Sequence, residues 1–252
     1  MPDKINILIS NDDGVSAPGI VCLADEISQH HNVTVVAPHK NRSGSSSALT
    51  LDRPLYCDQL ENGYYSVTGT PCDCVHLGSH QLMQQKPDMV ISGINRGANL
   101  ADDVMYSGTV AAAMEGRSMG YPAVAISLAS SESIHYETAA KVMLKILRRL
   151  KIYSLSSNII LNVNVPDLPL PQLKGYRITR LGCRHRADTI KLATDPRGKS
   201  VYWIGPPSKP QDVGVGTDFD AIKQGFVSIT PLVVDFTAHQ SFDSVSEWIS
   251  EL

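Results

Sequence analysis

A chain of 252 residues with 42% apolar and 19% charged side chains is long enough to bury a sizeable core and has the balance of an ordinary globular protein. Its formal net charge of −3, with no block of like charges, excludes a broad electrostatic attraction to nucleic-acid polymer or to a membrane surface. No apolar run approaches bilayer-spanning length, the Met1-Pro2-Asp3-Lys4 start lacks the pattern of a secretory leader, and five scattered cysteines suit a reducing compartment. A soluble, cytoplasmic protein is expected.

The predicted elements begin with Ile5-Asn6-Ile7-Leu8-Ile9, a nearly continuous apolar run of the kind carried by a strand covered on both faces. Asn11-Asp12-Asp13-Gly14 closes it. Two adjacent carboxylates straight after a buried strand repel each other and resist desolvation, so they need a cation or donors. A turn beyond the strand end brings both to one point, and Gly14 supplies the backbone freedom for it. The structural alternative is a plain turn, with Asp13 or Ser16 capping the next helix. In that helix Pro18 suits the first turn, and Ile20, Leu23, Ala24 and Ile27 share one face. Val33 to Ala37, stopped by Pro38, completes a β-α-β unit whose short connections predict a parallel sheet with right-handed crossovers.

The polar segment His39 to Thr50 reads as a binding loop leaving the carboxyl end of the second strand. Tyr64 to Thr68 forms another predicted strand, and Asp73 is the expected N-cap of a helix running to about Met83. Met89-Val90-Ile91-Ser92 is a buried strand followed by a turn-rich stretch, Gly93 to Asn99. An alanine-rich helix over Val110 to Met119, a strand over Ala123 to Leu128, a helix over Tyr136 to Leu150 and a strand over Ile159 to Val165 follow. Beyond Pro166, prolines at 166, 169, 171, 196, 206, 207 and 210 leave only short strands, around 175–181, 201–204 and 226–230. This predicts a single domain over 1–252, with a core at 1–165 and a hairpin-rich extension at 166–252. In the tail Asp243 to Leu252, Val245, Trp248, Ile249 and Leu252 recur at helical spacing, so a terminal amphipathic helix must dock on the body or on a neighbouring subunit.

Three loops follow predicted parallel strands: Asn11 to Gly14, Asn41-Arg42-Ser43-Gly44, and Ser92 to Asn99. All emerge on the carboxyl edge of the sheet, where open α/β proteins bind ligands. They offer carboxylates, hydroxyls and amide carbonyls, hard oxygen donors that suit Mg²⁺ or Mn²⁺. Singly each is an ordinary turn; their convergence carries the site reading. Ser107-Gly108-Thr109 opens the alanine-rich helix, and helix N-termini hold phosphate through unpaired amides and a partial positive charge. Ordinary capping by Ser107 or Thr109 explains the same residues, and the phosphate reading draws on the metal site beside it.

Other motifs are weaker. Cys72-Asp73-Cys74-Val75-His76 with His80 has the residue types of a soft-metal cluster, but Gly78 stands where a zincin helix carries glutamate, and partly buried helix residues are the plainer reading. Gly214-Val215-Gly216 lacks the third glycine and the opening strand of a dinucleotide fingerprint, and neither a P-loop nor a Gly-x-Ser-x-Gly elbow occurs. Arg96, Arg184 and His185 are candidate anion contacts by type, with surface solvation the plainer reading of each.

Taken together, Asn11-Asp12-Asp13-Gly14, Pro38 with Asn41-Arg42-Ser43-Gly44, Thr70-Pro71-Cys72-Asp73-Cys74-Val75, Ser92 to Asn99, and Tyr106-Ser107-Gly108-Thr109 through Gly116 resemble the motifs of the survival protein SurE family, in family order. Cys72, where a smaller residue such as alanine is expected, is a departure that bears on packing. The resemblance implies a Rossmann-like, three-layer α/β fold with a mostly parallel sheet, a β-hairpin extension and a terminal helix. It implies a metal-dependent nucleotidase releasing phosphate from nucleoside monophosphates. It further implies that Asp12, Asp13, Ser43 and Asn95 hold one divalent ion, Mg²⁺ or Mn²⁺, per subunit, that Asn99, Ser107, Gly108 and Thr109 surround the phosphate, and that subunits pair as a homodimer or homotetramer by exchanging C-terminal segments.

The expected reaction is in-line displacement of the nucleoside hydroxyl by an activated water, with Asp12 and Asp13 as the catalytic carboxylates. Direct attack by either carboxylate is the alternative, disfavoured because a metal-committed carboxylate is a poor nucleophile. Exopolyphosphatase activity is a further reading, and a nucleotide- or phosphate-binding regulator without turnover is the reading from a different class. No residue stands out as the general acid or as a base or sugar contact.

Overall fold

The computed structural model describes residues 4–150, 152, 156, 158–184, 190–205, 208–233, 235 and 237–250. In chain order its strands are β1 (Asn6–Ser10), β2 (Asn32–Pro38), β3 (Cys57–Gln59), β4 (Tyr65–Val67), β5 (Met89–Arg96), β6 (Ala123–Leu128), β7 (Ile159–Val165), β8 (Tyr176–Ile178), β9 (Ile190–Thr194), β10 (Ser200–Ile204) and β11 (Val227–Val233). Its α-helices are α1 (Pro18–Ser28), α2 (Pro71–Leu77), α3 (Gly108–Ser118), α4 (Tyr136–Leu150), α5 (Asp218–Lys223) and α6 (Phe242–Ile249).

Alternation along β1 sets the layers, because successive strand side chains point to opposite faces. Ile7 and Ile9 join Ile20, Leu23 and Ile27 of α1 and Met143 and Leu147 of α4 in one core cluster. Leu8 faces the other way, into a cluster with Cys74 and Val75 of α2 and Val110, Ala112 and Ala113 of α3. A sheet with helices on both faces results, as the sequence predicts.

The strands run in the order β3-β4-β2-β1-β5-β6-β7-β11-β8. From β4 to β7 every neighbouring pair is parallel; β3 is antiparallel at one edge, and β11 runs antiparallel to β7. The chain passes from β1 to β2 on one side and later returns to β5 on the other. The order therefore reverses beside β1, and such a switch point opens a crevice at the carboxyl ends of the strands. β9 and β10 form a separate antiparallel hairpin, while β8 and β11 complete the main sheet.

Three local expectations change. The α2 cap is Thr70, not Asp73: the Thr70 hydroxyl accepts from Asp73 N–H at 3.1 Å and Asp73 accepts from Thr70 N–H at 2.8 Å, a capping box. The α-helix then stops at Leu77 and continues as a π-helical turn over Gly78–Leu82. β5 runs past Ser92 to Arg96, because a register shift between Ser92 and Asn95 lets pairing with β6 resume at Asn95↔Ser127. Among the described residues no helix is long and apolar enough to cross a membrane. Within the predicted terminal helix, Val245, Trp248 and Ile249 of α6 stand exposed, and Leu252 lies outside the described residues.

Candidate active site

The turn after β1 is held by Asn11, which leaves the two aspartates for other work. Asn11 donates from Nδ2 to Gly14 O at 2.9 Å and accepts from Gly14 N–H at 3.2 Å, with Gly14 at φ +110°. Helix α1 begins after Ala17 with no side-chain cap, so neither Asp13 nor Ser16 caps it. Asp12 is only 4% exposed, and its Oδ1 accepts the hydroxyl hydrogen of Thr109. Its carbonyl accepts from Arg42 N–H at 2.7 Å, which draws the loop after β2 over the turn. Asp13 Oδ2 accepts from Arg96 N–H at 2.8 Å, which fixes it to the end of β5.

Helix α3 arrives at the same point. Ser107 caps it, accepting from Val110 N–H at 3.1 Å, whereas Thr109 turns its hydroxyl to Asp12 instead. A Cβ on Gly108 would lie 2.7 Å from Asp12 Cβ and 2.9 Å from Ser45 Oγ. Only glycine lets the helix N-terminus close on the carboxylate at this distance. Among the described residues Ser45 Oγ and Arg42 Nε are buried without a hydrogen-bond partner. In the sequence the signal for Ser45 is no more than the serine richness of 39–50. The far end of that loop is tied down by Asp73, which accepts from Thr50 N–H at 2.9 Å and from the Thr50 hydroxyl at 2.6 Å. Burial raises the Asp73 carboxyl, but these bonds and those from Thr70 outweigh it and hold the group below its ordinary value.

The remaining predicted residues flank this centre. Ser43, exposed, follows Arg42, and its N–H donates to Asn41 Oδ1 at 2.7 Å. Asn95, buried, precedes Arg96, and its Nδ2 donates to Gly97 O at 2.8 Å. Among the described residues no hydrogen bond joins Asp12, Asp13, Ser43 and Asn95 to one another. Asn99, buried beyond β5, donates from Nδ2 to Ser127 Oγ at 2.8 Å. Arg184 is half-buried rather than freely solvated: it is paired with Asp103 and lies over the Phe219 ring. Arg96 is exposed, its Nε donating to Ser131 O at 2.9 Å, and His185 lies outside the described residues.

Burial lifts the Asp12 carboxyl from 3.8 to about 6; the Thr109 hydrogen bond opposes the rise and the charge of Asp13 adds to it. Asp13 is raised as well, again by burial, with the Arg96 N–H and charge opposing. Two neighbouring carboxylates lifted in this way fit a bound cation, which would restore both to the ionised form. Asp and Ser or Asn oxygens are the donors a hard divalent ion takes. The cysteines fit no such role. Burial pushes Cys72 up to about 12 and Cys74 well above its ordinary value, while His76 meets Glu115 at 3.1 Å and stacks on His80 at 4.7 Å.

The chain is similar to known proteins over nearly its whole length. A protein of Pseudoalteromonas atlantica named 5′-nucleotidase SurE is 53% identical over 248 residues, spanning 98% of this chain and 100% of that one. A Legionella pneumophila protein of the same name is 56% identical over 248 residues, spanning 98% of each chain. The crystal structure of the SurE protein from Aquifex aeolicus superposes with a TM-score of 0.86 at 40% identity, covering 97% of this chain and 99% of that one. The family described as Survival protein SurE matches residues 7–188, a stretch that contains Asp12, Asp13, Ser43, Asn95, Asn99 and the 107–109 turn. With that match and relatives above half identity over nearly their full length, the chain belongs to the survival protein SurE family.

Proposed function

We propose that this chain is a metal-dependent nucleotidase that hydrolyses nucleoside 5′- and 3′-monophosphates to nucleoside and phosphate. The observation that carries this reading is the buried Asp12 carboxylate seated against the N-terminus of α3 through Thr109 and Gly108. A carboxylate pair and a helix N-terminus brought together give one place for a cation beside one place for a phosphate. Relatives bearing the name 5′-nucleotidase support the same reading.

In this reading Asp12, Asp13, Ser43 and Asn95 hold one Mg²⁺ or Mn²⁺ per subunit. When bound, such an ion supplies Lewis-acid polarisation of a phosphoryl oxygen and lowers the pKa of a water. Thr109 holds one oxygen of Asp12, so the carboxylate keeps its orientation, and Arg96 N–H does the same for Asp13. Ser107, Gly108 and Thr109 present the helix N-terminus to the phosphate, and the unpaired Ser45 hydroxyl beside Gly108 adds a donor there. Asn99 Nδ2 gives one hydrogen to Ser127 Oγ, which leaves its second amide hydrogen for an anion.

The chain acts in this reading as one unit over 1–252, in the cytoplasm; five unpaired cysteines and the entry of β8 and β11 into the main sheet support those two points. Subunits associate as a homodimer or homotetramer through exchanged C-terminal segments, which the exposed apolar face of α6 supports.

Phosphate release from a panel of nucleoside 5′- and 3′-monophosphates, with Mg²⁺, with Mn²⁺ and with a chelator, tests the activity. Release that needs the ion and disappears in Asp13→Ala is the expected result. Release that survives both chelation and that substitution would place the chemistry elsewhere and overturn the assignment.

A further inference from the structure

The segment from Asn99 to Tyr106, which leads from β5 into α3, is held by side chains that the proposed chemistry does not use. Asn99 N–H donates to Asn164 Oδ1 at 2.8 Å, and Asn99 O accepts from Asn162 Nδ2 at 2.9 Å and from Asn164 Nδ2 at 3.0 Å. Asn162 and Asn164 are completely buried on β7, two residues apart and so on one face, the face that Ile160 presents to the α3 layer. Buried amides are costly unless their hydrogen bonds are made. Here three bonds converge on the backbone of a single residue.

The next turn is held from the same half of the chain. Ala101 sits at φ +49°, a left-handed conformation uncommon for a residue with a side chain, and its N–H donates to Asp218 Oδ2 at 2.8 Å. Asp102 accepts from Arg184 N–H at 2.6 Å. The path into Ser107-Gly108-Thr109 is therefore set by residues from beyond 160.

We propose that Asn162 and Asn164 are positioning residues, which fix the backbone of Asn99 and thereby aim its side chain at the phosphate. The proposal rests on the phosphate site of the nucleotidase reading, and it adds residues that lie outside both the five motifs carrying the resemblance and the metal set. Such residues act through preorganisation: they touch neither metal nor substrate, but misplacement of Asn99 weakens the grip on the anion.

The test is calorimetric titration of the full chain with inorganic phosphate in Mg²⁺ buffer, alongside steady-state kinetics on a nucleoside monophosphate. The proteins are wild type, Asn164→Ala, Asn99→Ala and the double variant. Asn164→Ala is expected to weaken phosphate roughly tenfold at temperatures well below its unfolding midpoint. In the Asn99→Ala background the same change should cost less than about twofold, because the side chain it aims is gone. Additive losses, or wild-type phosphate affinity in folded Asn164→Ala, would overturn the proposal and leave the nucleotidase reading standing. Asn162→Ala leaves Asn164 on both backbone groups and gives the milder variant should Asn164→Ala not fold. If wild type binds phosphate and the non-additivity appears, but no nucleotide is hydrolysed, the positioning role stands and the nucleotidase reading falls. A wild-type chain that hydrolyses nucleotide but binds no phosphate would overturn the positioning role alone, and one that does neither would overturn both.

Discussion

Ile7, Leu8 and Ile9 of β1 are completely buried, whereas Ile190, Leu192, Tyr202 and Trp203 of the β9–β10 hairpin and Phe242, Trp248 and Ile249 of α6 stand exposed. The residue types are alike; the layers available to them are not. β1 lies between helices on both faces, so each apolar side chain meets a partner whichever way it points. The hairpin is a two-stranded sheet apart from the main one, and such a ribbon has little to bury against on its own. Apolar pattern in the first region therefore reports the core, and in the second it reports exposed surface. Polar groups divide in the opposite sense: at the sheet edge Asp12, Asn95 and Asn99 are buried and hydrogen-bonded, while most of the hairpin's polar groups face water.

That contrast can be broken or sharpened by measurement, starting where the effect is largest. Asp13→Ala should lower phosphate release from nucleoside monophosphates by roughly 10³-fold, since a bound ion contributes several kcal/mol of transition-state stabilisation. A retained rate would separate burial at the sheet edge from function. Next, Ile9→Ala should cost about 3 kcal/mol of unfolding free energy in urea titrations, from lost transfer energy and the cavity left behind. Trp203→Ala, at a protein concentration where subunits are separate, should cost less than about 0.5 kcal/mol. Equal costs would mean that the hairpin packs as the core does.

A third measurement concerns Asp12, whose carboxyl rises from 3.8 to about 6 on folding. A raised carboxylate destabilises the metal-free fold increasingly as pH climbs from about 4 to about 6, and fully above that. Asp12→Asn removes this term, so the metal-free variant should gain up to about 3 kcal/mol on wild type between acid and neutral pH. Saturating Mg²⁺ should abolish or reverse that gain, and thermal melts at a series of pH values would show it. A pH-independent difference would mean that Asp12 is not desolvated in solution. The smallest effect is expected from deleting residues 243–252: within about 0.5 kcal/mol for the separate subunit, because α6 is exposed there. If subunits associate through C-terminal segments as proposed, light scattering should nonetheless report a lower mass; an unchanged mass would count against that proposal.

The core was legible because hydrophobic period survives in every element that touches it. Ile20, Leu23, Ala24 and Ile27 are all buried, and the helix expected over Tyr136 to Leu150 has those bounds. Boundaries shifted where the deciding interaction is a specific bond. Thr70 and Asp73 are both cap residues by type, and only the reciprocal geometry of the box places Thr70 at the end. The run ending at Ser92 showed no sign of the register shift that carries β5 to Arg96, since such a shift depends on the partner strand. Of the site, Asp12, Asp13 and the 107–109 turn were legible as residue types at strand and helix ends. Ser45, Asn162 and Asn164 were not: a serine in a serine-rich loop and two amides in an apolar strand look ordinary until their neighbours are known.

From the sequence alone came the period of each element, the alternation that predicts a parallel sheet, and the kinds of donor gathered at its carboxyl edge. The tertiary structure alone decided which donor meets which. Thr109 reaches Asp12 across 97 residues of chain and Asn164 reaches Asn99 across 65, so neither bond has a local signature. Strand order reverses beside β1, and the ends of β1 and β5 and the start of α3 meet at that edge of the sheet. Hydrogen bonds are short-ranged and directional, so their partners exist only once the sheet has set the distances.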